Sequence, residues 1–377
     1  MGHRSTLTRR DFLRAGAVVG GTVLVGLPLG ATGRWLAPAR ASAVPAVDRL
    51  AVRVVVDAYH DALARTMKVG NVEVQRFGLA LGTNLQKHLH NEHGLSLYLE
   101  SQRGGETRNF LLDFGFTSAA LFNNLDILKI DSASVDALIV SHGHFDHFGG
   151  LIPLLKRDRA KMRGDLPVYV GGEDTFCYRW IQLPDGQRHS FGVLDRRELA
   201  AANARVVMAD KAAVIEGQAF TTGAIPHKGF EKVLPATRVE IGVRNGAGCD
   251  ASHFTKEEQE GKIVFDQFYG EHATCFNVKD RGLVVMSSCG HAGIVNSIRQ
   301  AQAVSGVQKV HAAMGGFHLS PAPEPYIAQT VQALKEIDPD YVIPMHCTGP
   351  GFIRMVQKEM PDKLILPYTG TRYIFGA

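Results

Sequence analysis

The chain has 377 residues, 45% of them hydrophobic and 21% charged, which places it among globular proteins of one large or two small domains. A chain of this length buries a core without disulfide or metal staples. The first 43 residues hold six arginines and one aspartate, so a leader of +5 within a net charge of +4 leaves about −1 for the body, and no basic face for nucleic acid or an anionic membrane is expected. Five cysteines (Cys177, Cys249, Cys275, Cys289 and Cys347) form no CxxC pair; a disulfide framework is not expected, although a single bridge stays open.

In chain order, Thr8-Arg9-Arg10-Asp11-Phe12-Leu13-Arg14 has the form of a twin-arginine export motif. An apolar stretch from Ala15 to Leu29 follows, then Ala41-Ser42-Ala43, a small-residue cleavage signal. Residues 1–43 are therefore expected to be a signal peptide read by the twin-arginine translocase, and 44–377 the exported catalytic domain, folded and metal-loaded before it reaches the periplasm. The alternative is an uncleaved membrane anchor, but the run falls short of about 18 residues and Pro28 interrupts it.

In the body, short β-rich runs alternate with helical patterns. Expected strands are 53–57, 95–100, 110–113, 137–141, 167–171, 205–208, 219–222, 283–287, 309–314, 341–344 and 372–375. Expected helices are 118–125, 150–156, 196–202, 293–303, 326–337 and 352–359; Ile294, Ile298 and Ala301 show the apolar spacing of three and four. The alternation predicts an α/β fold with layered helices and sheet. The polar stretch 245–261 reads as a surface loop.

The strand 137–141 runs into His142-Gly143-His144-Phe145-Asp146-His147-Phe148-Gly149-Gly150, so three histidines and a carboxylate fall within six residues. Residues two apart in an extended segment point the same way, so His142 and His144 can share one ion while Asp146 and His147, at the turn into a helix, face a second. Imidazole and carboxylate ligands suit zinc, with manganese or iron as alternatives. Gly143 is expected to let the backbone pass the metals, and Gly149-Gly150 to permit a tight turn.

This segment resembles the HxHxDH signature of the metallo-β-lactamase superfamily. The resemblance extends over roughly 52–375 and implies an αββα four-layer sandwich with a two-metal centre. Asp113 matches the superfamily's earlier strand-end aspartate, which supports the metal loop without binding metal. Cys289-Gly-His291, Gly315-Gly-Phe-His318 and His346-Cys-Thr-Gly349 each follow a predicted strand, and Glu92-His93-Gly stands upstream. Together they resemble the subfamily of the archaeal dihydropterin–ribofuranosylaminobenzene phosphate synthase and its bacterial relatives. That resemblance implies metal roles for His291 and His346, hence ligand sets His142/His144/His291 and Asp146/His147/His346. In place of the usual bridging aspartate the sequence has Cys289-Gly-His291. His227 lies where other branches carry a ligand, and is otherwise expected to face substrate. His318 is expected beside the metals, donating to a substrate oxyanion or orienting a ligand. Glu92 and His93 are expected either to line the same mouth or to stabilise a turn.

The expected function is hydrolysis of a small-molecule ester, lactone or phosphoester by metal-activated hydroxide, with Asp146 and His318 as catalytic residues. Alternatives are a pterin-transferring synthase, to which the export signal is opposed, and a non-catalytic metal-binding or sensing protein. A diiron redox enzyme fits less well, because that branch has glutamate where His144 stands. No feature of the sequence specifies an oligomeric state.

Overall fold

The computed structural model describes residues 44–78, 87–234 and 237–376; the predicted leader lies outside them. Two large sheets pack face to face. The first has nine strands in the order 205–208, 167–170, 137–140, 106–112, 96–103, 49–56, 372–375, 72–75 and 67–69. The second runs 211–215, 219–223, 274–278, 282–287, 310–316 and 341–345, with 46–47 paired alongside 274–278.

Side-chain alternation assigns each strand to two layers at once. Ala137 and Ile139 enter the core between the sheets, while Leu138 and Val140 point outward beneath the helices Ser118–Ile127 and Leu151–Asp158. In the second sheet, Val284 and Met286 face inward, and Leu283 and Val285 pack under Ile294–Ser305, Glu324–Ile337 and Pro350–Glu359. The result is the αββα sandwich. Parallel pairing of 282–287, 310–316 and 341–345 brings the ends of these three strands to one edge. Parallel pairing of 106–112 with 137–140 does the same in the first sheet.

All eleven predicted strands and six predicted helices occur, most with shifted ends, while 205–208 and 372–375 coincide. Several elements were not anticipated. A four-stranded sheet, in the order 188–190, 178–182, 238–240 and 263–265, forms beside the sandwich. The predicted loop 245–261 holds half a hairpin and the helix Lys256–Gly261, closed by a reciprocal cap in which Thr255 and Glu258 each bond the other's backbone. Cys177 and Cys249, 72 residues apart, are joined by a disulfide, the single bridge the composition left open. Among the described residues no helix is long and apolar enough to cross a membrane.

A Cβ on Gly143 would strike Arg179 Nη1 at 2.2 Å and Thr175 O at 2.5 Å, so the missing side chain makes room for the neighbouring sheet. Gly149 and Gly150 form the expected turn, between the helices Phe145–Phe148 and Leu151–Asp158, with right-handed backbones. Their Cβ positions would meet Phe116 O at 2.2 Å and Phe114 O at 2.4 Å, so a close helix-to-loop approach requires them.

Candidate metal centre

Three strand ends and the HxHxDH loop meet at the edge of the sandwich. Asp113 anchors the loop: its Oδ1 accepts from Ser141 N at 2.8 Å, and its Oδ2 accepts from Ser141 Oγ and His147 Nδ1, each at 2.7 Å. Because Ser141 Oγ gives its proton to Asp113, it accepts from His142 Nδ1 at 2.9 Å. These bonds place protons on the Nδ1 atoms of His142 and His147 and turn their Nε2 lone pairs inward. His144 is held in the opposite sense, its Nε2 lying 2.8 Å from Thr237 Oγ1.

The side chains form two clusters. Ligand atoms of His142, His144 and His291 lie within 4.8 Å of one another. In the second cluster, Asp146 Oδ2 is 3.2 Å from His346 Nε2 and 3.7 Å from His147 Nε2, and the two imidazole nitrogens are 3.3 Å apart. Such separations suit donors at about 2.0–2.2 Å from one ion. His93, with a largely exposed side chain, adds Nε2 at 3.7 Å from Asp146 Oδ2. His142 Nε2, both nitrogens of His291, Asp146 Oδ1 and His346 Nδ1 are buried without hydrogen-bond partners. A buried polar atom left unpaired costs roughly 1–3 kcal/mol, so the neighbouring unpaired nitrogens of His142 and His291 mark a site that takes a cation. The donor set therefore fits the metal pair that the sequence implies.

Electrostatics divide the clusters. Burial, then repulsion among neighbouring cationic forms, holds His142 and His291 far below the usual imidazole range. Burial also dominates for His144. These three are neutral, lone-pair donors at neutral pH. For Asp146 burial is outweighed by His147 and His346, which drive its carboxyl well below the usual range. Burial likewise opposes protonation of His346, but Cys347 and Asp146 prevail and hold it at about 9.

Backbone supports complete the site. Asp57 Oδ1 accepts from His346 N at 2.7 Å. Glu271 accepts from His291 N at 3.0 Å and Ala292 N at 2.6 Å, which fixes the loop after the strand 282–287. Behind His144, Thr237 Oγ1 bonds Asp266 Oδ2 at 3.1 Å, and that oxygen also accepts from Arg179 Nε at 2.7 Å. Sequence reasoning found none of Asp57, Glu271, Thr237, Asp266 or Arg179.

The centre floors an open cavity of about 350 Å³, lined by His93, His144, Asp146, His318, His346 and both Cys289 and Cys347, with Tyr59, Ile181 and Phe191 on its walls. His318 stands over His291 with ring centroids 4.1 Å apart and has a left-handed backbone, φ 45°. Glu92 and His93 part company: Glu92 receives Phe116 N, Thr117 N and Thr117 Oγ1 at 2.7–2.8 Å and stabilises that turn, whereas His93 lines the cavity. His227 is exposed, stacks on Tyr269 at 5.9 Å, and belongs neither to the clusters nor to the cavity wall, which removes it from the candidate ligands and from the substrate face.

The model of the metallo-β-lactamase superfamily matches residues 92–169, the segment that holds Asp113 and the whole HxHxDH loop. The segment 92–169 is therefore that of the metallo-β-lactamase superfamily. The chain is similar to the 7,8-dihydropterin-6-methyl-4-(β-D-ribofuranosyl)-aminobenzene-5'-phosphate synthase of Methanocaldococcus jannaschii, with 28% identity over 72% of this chain and 86% of that protein. An uncharacterized protein of the same archaeon is 23% identical over 68% of this chain and 84% of its own length. Among solved structures, Tm1679, a metal-dependent hydrolase of the β-lactamase superfamily, superposes with a TM-score of 0.61 at 20% identity, covering 86% of this chain and 98% of that one. It shows the same fold.

Proposed function

We propose that this protein is a hydrolase of the metallo-β-lactamase superfamily that holds two zinc ions, with manganese or iron as alternative occupants, and cleaves a small-molecule ester, lactone or phosphoester. The observation that carries this reading is the set of unpartnered buried polar atoms on His142, His291, Asp146 and His346, beside an open cavity that Asp146 and His346 line. When bound, a pair of such ions supplies a water activated near neutral pH and polarises the substrate oxygen.

The chain's own groups do the rest. Asp146 stays ionised, and its free Oδ1 is an acceptor that orients the attacking water. His318 Nδ1 lies 3.6 Å from Cys289 Sγ and accepts the thiol proton, which leaves the proton on Nε2. That Nε2, without a partner, donates to the oxyanion that develops on the substrate. Tyr59, Ile181 and Phe191 exclude water from one side of the cavity and hold the apolar part of a substrate.

The test is an assay of zinc-reconstituted protein on ester, lactone and phosphodiester panels. Turnover on at least one panel, lost on chelation and in His142→Ala, is expected. A preparation with two ions per chain and no turnover on any panel overturns the reading. Similarity to the archaeal synthase over most of the chain favours a second reading, a pterin-transferring synthase; joining of a pterin to an aminobenzene riboside by a preparation inert on all three panels establishes it.

We propose in addition that residues 1–43 direct twin-arginine export to the periplasm. Replacing Arg9 and Arg10 with Lys is expected to strand the precursor in the cytoplasm, and periplasmic recovery of that variant overturns the assignment.

A further inference from the structure

Cys289 and Cys347 meet although 58 residues separate them. Cys289 follows the strand 282–287 and Cys347 follows 341–345, on either side of the central strand 310–316. Their sulfurs are 3.1 Å apart, and Cys347 Sγ also receives His318 N at 3.3 Å. Both thiols line the open cavity, so a small reagent that enters the site reaches them. Cys275, the other free cysteine, is fully buried within a strand and has no such neighbour.

The pair also ties together the two metal clusters. Cys289 Sγ lies within 4.8 Å of ligand atoms of His142 and His147, and two residues on is His291. Cys347 directly follows His346. A disulfide requires about 2.05 Å between sulfurs, so roughly 1 Å of closure separates the thiol pair from a bond, and that closure draws the loops bearing His291 and His346 toward each other. Ligands displaced by that much no longer share an ion in good geometry.

We propose that Cys289 and Cys347 are a redox-sensitive thiol pair that closes to a disulfide across the metal centre and thereby lowers its affinity for metal. The oxidant is a small-molecule disulfide that enters the cavity. One thiolate attacks it, forms a mixed disulfide on the protein and expels one small thiolate; the second thiolate then attacks the cysteine sulfur of that mixed disulfide and expels the other small thiolate. Cys289 and Cys347 lose two electrons and two protons, and the small disulfide gains both as two thiols. The thiol chemistry stands on the sulfur geometry alone, whereas its effect on metal rests on the two-metal reading, and the experiment separates them.

Full-length protein, reduced under native conditions that leave the Cys177–Cys249 bridge intact, stripped of metal and then exposed to oxidised glutathione, is titrated for thiols in denaturant. The titre is expected to fall from three to one, with loss of two hydrogen masses and a crosslinked peptide that contains Cys289 and Cys347. Cys347→Ser is expected to carry a glutathione adduct on Cys289 and no crosslink. A titre that stays at three, or adducts on the wild type without a crosslink, overturns the thiol pair. The crosslinked protein is then titrated with zinc alone beside the reduced protein. At least a tenfold weaker affinity, reversed by a dithiol reductant, is expected. Equal affinity of the two forms overturns the gate while leaving the crosslink, and a weak affinity in the reduced protein as well traces the failure to the metal reading.

Discussion

His144 Nε2 lies 2.8 Å from Thr237 Oγ1, and this contact makes the small side sheet part of the metal centre. Thr237 has one proton to give, and Asp266 Oδ2 takes it at 3.1 Å while the fully buried Arg179 holds that carboxylate at 2.7 Å. Thr237 Oγ1 therefore accepts from His144 Nε2–H, and His144 can turn only Nδ1 toward the first cluster.

Removing the hydroxyl with Thr237→Val is expected to weaken metal binding at the first cluster by about 10–100-fold, with the fold intact. Thr237→Ser keeps the acceptor and is expected to restore affinity to within a few-fold. Competition against a chromophoric chelator measures both. Equal affinity in Val and Ser variants sinks the relay.

Elemental analysis of protein purified without chelator is expected to return about two metal ions per chain, on the expectation that dinuclear sites place ions roughly 3.5–4 Å apart. His142→Ala is expected to lose at least one of them and nearly all activity. His227→Ala, altering an exposed ring outside the cavity, is expected to leave metal content and turnover near wild type. Comparable losses in the two variants contradict the assignment of the clusters.

His318→Ala is expected to retain its metal and lower kcat by about 10²–10³, equivalent to ~3–4 kcal/mol of transition-state stabilisation. Metal content, kcat and melting temperature measured on one preparation separate the roles. Lost metal marks a ligand, and a lowered melting temperature with full activity per folded molecule marks a structural residue.

Metal-stripped protein is expected to be acid-labile. His142, His144 and His291 have folded-state pKa values well below the 6.5 of the free imidazole, chiefly through burial. Below pH 6.5 the unfolded chain therefore binds more protons than the folded one, and each imidazole withdraws up to about 1.4 kcal/mol of stability per pH unit. Glu271 acts in the opposite sense: burial pushes it up from 4.5 to about 7, so between those values the folded state binds the extra proton and acidification stabilises. Thermal melts from pH 7 to pH 5 are expected to show a falling melting temperature, with a steeper fall in Glu271→Gln. A flat profile, or a shallower one in the Gln variant, contradicts these burial effects.

The HxHxDH loop was legible because its signal is local. His142, His144, Asp146 and His147 fall within six residues, and their orientation follows from an apolar strand ending just before them. The four parallel-sheet strands 137–140, 282–287, 310–316 and 341–345 were equally plain, since burial on both faces makes each a continuous apolar run. The strand 211–215 escaped notice because most of its residues are exposed, so no alternation marks it. Glu92 read equally as a mouth residue or a turn residue, because the three donors that claim its carboxylate lie 24 and 25 residues away.

By itself the sequence determined the class of fold, the strand ends that bear His291, His318 and His346, and a first loop able to hold metal. These follow from short-range periodicity and from ligand spacing that any neighbouring chain would leave unchanged. Tertiary structure alone decided that Thr237, Asp266 and Arg179 stand behind His144, that Cys177 meets Cys249, and that Cys289 meets Cys347. Each of those relations joins residues dozens of positions apart. It depends on which strands pair, in what order and in what register, and that order is set by burial of whole sheet faces and leaves no mark in the spacing of the residues it brings together.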